Sequence, residues 1–338
     1  MKLIEQKKKP YPVSTALSSY LASYSRVTRL PIEYGDLKRF TSSVALYDKN
    51  GEDTLWSTVG YDAPQRREVH KQLLEIYAIL RSEGDLSVMD HLEVDRIDLC
   101  LYGNSQPFRI RIINTLNDNF DYFYVKLADA SRLYGLELEE VLSPNRIGFL
   151  MQGNTLIEEH IYGIPGDMFI NKYMQSNLNE VRLAKEFVKF NERCFLRLLG
   201  DMHSANFVVD IHIDFEENNY RMRAIDFDQQ SYEPRRQVYL PQYYKENNPI
   251  IALGMKHLTW ESVRQYQREE RALIHKRMHA ARRRFDALMS VMEQDVIAPA
   301  EYVAQLGDEL AEHYADAGFA ACQTMGQLVR RSLATLER

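Results

Sequence analysis

RLLGDMHSANFVVD, residues 197–210, places an aspartate, a histidine and an asparagine within six positions, between a helix-like run and a β-like run. Taken singly, each has a structural explanation: Asp201 can cap a turn and Asn206 can sit in a left-handed conformation. Taken together they pose three readings: a catalytic loop, a metal site, or a polar turn between helix and sheet. The flanking sequence narrows the choice. The run before the loop, NEVRLAKEFVKFNERCFLRLL (179–199), has helical periodicity. The runs after it, NFVVDIHIDF and YRMRAIDFD, have short β-like patterns around the turn EENN. The second of these delivers Asp226 in an acid-aromatic-acid triplet twenty residues beyond Asn206.

Upstream, residues 1–35 hold Pro10, Pro12 and Pro31 and read as an arm with weak structure that docks on the rest. Two β-rich runs around Asn50-Gly51 (40–61) predict a hairpin, and 62–84 predicts an amphipathic helix capped by Asp62. From residue 92 the period shortens to an antiparallel meander, LEVDRIDLCLYG, PFRIRIIN and YFYVKLA, which carries Lys126 on its third strand. A helix over 129–142, rich in glutamate, stops before Ser143-Pro144, and two further strands turn at Gly153-Asn154. The remainder, from about Gly254, reads as helical, with one long basic helix over 264–289 and a break at Pro299. The predicted division is an extension (1–91), a β-rich lobe (92–164) and a helical lobe (165–338).

Composition sets outer bounds. The 338 residues carry a net charge of −6 and 45% hydrophobic side chains, enough for a substantial core and without an electrostatic reason to seek nucleic acid or anionic membrane. Cys100, Cys194 and Cys322 are widely spaced, which argues against a disulfide framework or zinc ribbon and fits a cytoplasmic setting. The first residues lack the apolar core of a signal peptide, and no run of about 18 apolar residues predicts a membrane span.

The order and spacing of Asp201, Asn206 and Asp226 match the D-x-x-x-x-N loop of phosphotransfer enzymes and the metal-binding aspartate beyond it. More narrowly, Gly200, Asp201, His203 and Asn206 resemble the G-D-x-H-x-x-N loop of the aminoglycoside-phosphotransferase-like branch of the protein kinase-like superfamily. IDFD (225–228) resembles that branch's version of the DFG segment, with Asp228 where protein kinases have glycine, and IEEHIYGIPGDMF (157–169) resembles its strand-to-hinge passage. The resemblance covers roughly residues 92–240.

It implies an α+β, bilobal kinase-like fold, with an antiparallel β N-lobe and a mostly helical C-lobe. The implied activity is ATP- and Mg²⁺-dependent transfer of a phosphoryl group to a hydroxyl, of a small molecule or of a protein serine or threonine. In that scheme Asp201 orients the hydroxyl and accepts its proton, while Asn206 and Asp226 hold Mg²⁺ through oxygen ligands. Lys126 pairs with the ATP phosphates and needs an acidic partner, Glu137, with Glu139 and Glu140 as alternatives. Glu159 and Ile161 in the hinge passage, and Gly103 in the loop between the first two meander strands, complete the nucleotide contacts. That loop, LYGNSQPF, offers Gly103 alone where the family has a glycine-rich turn.

Rival readings use some of the same residues. A two-metal phosphoesterase also has D-x-H, but the other histidines stand singly or on helices, so His203 reads as a loop brace bonded to backbone. A pseudokinase that binds partners, or adenylyl transfer on the same fold, fits the same positions. The segment after Asp228 (229–249) holds Ser231 and four tyrosines near Arg235 and Arg236, as a peptide platform or autophosphorylation site would, or as a loop packed on the helical lobe.

Overall fold

The computed structural model describes residues 8–82, 84–85, 89–101, 105–174, 178–214 and 217–337. The chain divides into two compact units, Met1–Ala130 with Ile147–His160, and Ser131–Arg146 with Ile161–Arg338. The chain is α+β, with an antiparallel sheet in the first unit and mostly helices in the second.

The N-terminal arm is more ordered than its prolines suggest. Helix α1 (Thr15–Ser23) is capped by Ser14, whose Oγ accepts from the Leu17 N–H at 3.1 Å, and its Leu17 and Leu21 are fully buried. Val27 then forms a parallel bridge with Met151, and a short α2 (Tyr34–Leu37) comes next. Buried Lys8 pairs with Asp129 at 2.8 Å, which also accepts from the Tyr11 N–H.

Strands β1 (Ser42–Tyr47) and β2 (Asp53–Gly60) form the expected hairpin, with Gly51 at φ +80° in its turn, where a side chain would be strained. After α3 (Ala63–Ser82) come β3 (Leu92–Cys100), β4 (Phe108–Asn114) and β5 (Phe120–Leu127). Helix α4 (Ala130–Leu142) belongs, from Ser131, to the second unit; the chain then returns to the first for β6 (Phe149–Gln152) and β7 (Thr155–Glu159). These seven strands make one antiparallel sheet in the order β1-β2-β3-β4-β5-β7-β6, so the hairpin of the extension is continuous with the meander rather than stacked on it.

Period-two alternation builds the core of this unit. Ile97, Ile110 and Phe123 lie in register across three strands, and Phe108 and Ile112 flank them on the same face. Val69, Leu73 and Ile76 of α3 belong to the same buried cluster, which is why α3 carries its apolar residues three and four apart. On other positions of β3 and β4, Asp98 is wholly buried and satisfied by Thr58, Arg96 and Arg109.

The second unit includes β8 (Ile164–Pro165) and α5 (Gly166–Met168), which continues as a π turn, Phe169–Tyr173. Helix α6 (Glu180–Leu196), capped by Asn179, buries Leu183, Phe187, Phe190 and Cys194 along one stripe. Strands β9 (Phe207–Asp214) and β10 (Glu217–Ala224) join β8 in a three-stranded antiparallel sheet. The helices beyond it are α7 (Asn248–His257), α8 (Trp260–Ala280), α9 (Arg282–Met292), α10 (Ala300–Tyr314) and α11 (Met325–Ala334). The expected single helix over 264–289 is two, because Ala281 leaves helical geometry at ψ +24°. No proline or glycine marks that break in the sequence. The contacts of α9 are tertiary: Arg284 donates from Nη2 and Nε to the fully buried Glu137 of α4 at 2.8 and 3.1 Å, and Phe285, Leu288 and Met292 are buried. The C-terminal helices are core, with Leu306, Leu310, Phe319 and Leu328 fully buried, and no helix among the described residues is long and apolar enough to cross a membrane.

The Glu137–Arg284 pair gives a direct test. Arg284→Met removes the guanidinium that donates to a fully buried carboxylate and is expected to cost about 3 kcal/mol by urea unfolding, whereas Glu137→Met/Arg284→Met restores most of that loss. Equal destabilisation of the single and double variants would show that packing, not the ion pair, holds α4 to α9.

Candidate active site

The loop after α6 is built by two residues in an unusual backbone region. Leu198 sits at φ +54° and closes the helix, its N–H reaching the Phe195 carbonyl and that of Leu199 reaching Cys194. Asp201 sits at φ +62°, a conformation that costs most side chains about 1 kcal/mol and that Asp tolerates better. Between them Gly200 has no room for a side chain, since a Cβ would meet the Gln229 carbonyl oxygen and Val238 at 3.1 Å. The loop is stitched to the segment after IDFD: the Gly200 N–H donates to Gln229, the Asp201 N–H to Val238 and the Ser231 N–H to Leu198. Buried Gln230 adds a side-chain bond to the Arg197 carbonyl at 2.6 Å.

Within the loop, Asn206 Nδ2 donates to the Asp201 carbonyl at 2.8 Å and approaches Asp201 Oδ2 at 3.4 Å. The five-residue spacing of Asp201 and Asn206 thus places both side chains around one short turn (Ser204–Asn206). Among the described residues nothing donates to Asn206 Oδ1, so that oxygen could ligate a cation. His203 braces the turn as expected: its Nδ1 accepts from the Ala205 N–H at 3.3 Å, which requires an unprotonated Nδ1, and burial lowers its pKa. The Pro-Gly of the hinge passage meets the same turn from below, because a Cβ on Gly166 would lie 2.5 Å from the Ser204 carbonyl oxygen.

Asp226 comes after β10, its segment tied to Asn206 by the Ile225 N–H, which donates to the Asn206 carbonyl at 3.0 Å. Its Oδ1 accepts from Arg132 Nη1 at 2.8 Å and from the Asp228 N–H at 3.0 Å, and Asp228 Oδ1 accepts from the same Arg132 nitrogen at 2.8 Å. Arg132, only 1% exposed, is the residue that the sequence reading misses. It lies on α4, one turn before Gly135, where Phe227 comes so close that a Cβ would meet it at 2.9 Å. An arginine and a glycine three apart on a glutamate-rich helix share a face, but nothing local says which segment that face meets.

The electrostatics derive from this crowding. Burial, then the charge of Asp226, then Glu233, Asp228 and Glu246, push the Asp201 carboxyl up to about 7. Tyr244, whose hydroxyl donates to the Val238 carbonyl at 2.9 Å, is also raised, chiefly by burial.

The other expected site residues have different surroundings. Lys126 is buried in the first unit, and its Nζ meets Glu158 Oε2 at 2.7 Å. Glu158 was not among the carboxylates expected for that role. The glutamates of α4 are engaged by arginines of their own unit: Glu137 by Arg284, Glu139 by Arg197, and Glu140 by Arg146. Glu159 accepts from the Gly148 N–H at 2.6 Å and from Arg81, so its carboxylate serves the sheet edge. Ile161 is buried at the start of the second unit's longer segment, and Gly103 lies outside the described residues. Ser231 and Tyr239 after IDFD are fully buried, which places them in the packing and not on an accessible platform.

No protein-family model matches the chain, nor does any curated protein. Among solved structures the chain is similar to one described as titin kinase and its flanking domains, at 12% identity and a TM-score of 0.30, over 73% of this chain. The match spans 55% of that chain, little more than half its length.

The raised Asp201 carboxyl has a measurable consequence. Its pKa climbs on folding from an ordinary 3.8 to about 7, so it costs nothing below about pH 4 and its penalty grows until the pH passes 7. Asn also tolerates positive φ, so Asp201→Asn is expected to match the native chain in stability at about pH 4 and to exceed it by on the order of 2 kcal/mol at about pH 8 in thermal melts. A stability difference independent of pH would mean that Asp201 is not perturbed.

Proposed function

We propose that the chain is an ATP- and Mg²⁺-dependent phosphotransferase that acts on a hydroxyl group. The observation that carries this reading is the Asp201–Asn206 turn, with a half-buried carboxyl raised to about 7 beside a second carboxylate, Asp226. A carboxylate with that affinity can accept a hydroxyl proton as the bond to phosphorus forms. The donor set suits Mg²⁺: Asn206 Oδ1 and the Asp226 carboxylate are hard oxygens, and Asp201, Asp226 and Asp228 outnumber the single buried cation Arg132. A bound divalent ion would supply charge neutralisation for the transferred group. The chain's own contribution is to hold Asp226 by Arg132 and Asn206 by the Asp201 carbonyl, so that neither ligand must reorganise. Lys126, kept in place by Glu158, supports the assignment of a phosphate-binding cation to the first unit. The hydroxyl belongs to a small molecule or to a protein serine or threonine.

Transfer from γ-labelled ATP with Mg²⁺, offered metabolite and protein pools separately, tests the reading. Asp201→Ala is expected to lose about 10²–10⁴-fold in transfer while still binding nucleotide, and Asp226→Ala to lose transfer and the Mg²⁺ dependence of nucleotide binding. For the native chain kcat/KM is expected to rise with pH through about 7, as the Asp201 carboxylate forms. Nucleotide binding without transfer would make the chain a nucleotide-dependent binding protein, and no binding would remove the reading.

A further inference from the structure

A second feature of the helical unit has no place in phosphoryl transfer. A cleft of ≈ 970 Å³ opens beside α8, and neither Asp201, Asn206 nor Asp226 lines it. Its walls carry Arg236, Arg264, Arg268, Trp260, Tyr243 and His313. Trp260 is 71% exposed and Tyr243 52%, so both rings are open to a ligand in the cleft. Arg271, also in the wall, is satisfied by Glu192 at 2.8 Å and by Thr335. Arg236, Arg264 and Arg268 have no carboxylate within ion-pair distance among the described residues. Arg236 instead abuts His313, Nη1 to Nδ1 at 3.0 Å; because a guanidinium only donates, that ring nitrogen is unprotonated, and burial together with Arg236 and Arg271 lowers the histidine's pKa. Arg264 stacks on Trp260 at 5.4 Å. With Glu192 and Glu261 as the acids of the wall, two positive charges are left in excess.

The layout of these groups selects a ligand shape. Trp260, Arg264 and Arg268 are four apart on one helix, so they form a line about 12 Å long with the guanidinium stems about 6 Å apart. An extended peptide repeats its same-side residues at about 6.6 Å, close to that spacing, and about four of its residues span the line. A single phosphate or other compact dianion could not meet cations distributed over that length. A nucleic acid would need more unpaired cations than three, on a chain whose net charge is −6. We propose that this cleft is a docking site for an extended acidic peptide segment of a partner protein, with carboxylates at alternate positions on Arg264 and Arg268 and an apolar residue against Trp260. The site does not depend on the chain being a phosphotransferase, and it is tested without nucleotide.

The chain has two tryptophans, so in a Trp56→Phe background the emission of Trp260 reports on the cleft alone. The probe is a fluorescein-labelled decapeptide with glutamate at alternate positions, alongside its glutamine counterpart and a ten-nucleotide oligothymidine. Saturable binding of the glutamate peptide is expected, with a blue shift of Trp260 emission and a loss of affinity between low and high salt. Arg264→Glu/Arg268→Glu should weaken it at least about tenfold with an unchanged melting temperature, both side chains being exposed. The milder Arg264→Gln/Arg268→Gln should fall between, which guards against a folding artefact. The proposal is overturned if no peptide binds, if the glutamine peptide binds as tightly, if the charge-reversed chain binds equally, or if oligothymidine binds more tightly than the glutamate peptide.

Discussion

The helical unit depends on one buried guanidinium. Arg132 bridges Asp226 and Asp228 from within α4, and with the Gly135–Phe227 approach it locks that helix onto the IDFD segment. Removing water from Arg132 and, in larger part, from Asp228 costs several kcal/mol per fully buried ion, recovered only where geometry and further hydrogen bonds are good, while Asp226 keeps 38% of its side chain in solvent. Here the Asp228 N–H adds one such bond to Asp226. The arrangement specifies position more than it stabilises: a carboxylate held from two directions cannot swing. Asp228, the second acid of the triplet, is the second arm of the Arg132 clamp.

Against that fixed pair, Asp201 is the group left with unfavourable electrostatics. It is half-buried, faces the field of Asp226, and sits at positive φ, held by hydrogen bonds to Val238 and from Asn206. Backbone strain and a raised carboxyl at one residue both cost stability, and they tend to cluster at functional sites. Gly200 and Gly166 are closely approached by neighbouring backbone, and Gln230 ties the loop from behind. Elsewhere in the same unit charge is handled conventionally, with Arg193 on Glu186 and Glu270, and Lys185 and Lys189 on Glu269.

What the sequence alone determined was everything carried by local periodicity and short spacing. The hairpin at Gly51, the α3 helix, the three-strand meander, α6 and the β9–β10 pair arise from patterns of two and of three to four, and from turn residues whose preferences act within four positions. The loop residues Asp201, His203 and Asn206 were legible for the same reason, since one turn of backbone brings them together. The α8–α9 break and the helicity of the arm were not, because no local signal opposes a continuous helix at Ala281, and at Thr15 the one local signal, the Ser14 cap, is set against neighbouring prolines. Only the tertiary structure decided the partners of the buried charges. Lys126 and Glu158 become diagonal neighbours through the β5–β7 pairing, in which Lys126 lies opposite Leu156, and Arg132 finds Asp226 across more than ninety residues. A salt bridge has no sequence period: any acid on the right face satisfies a cation, and which face is right is set by strand order and helix packing.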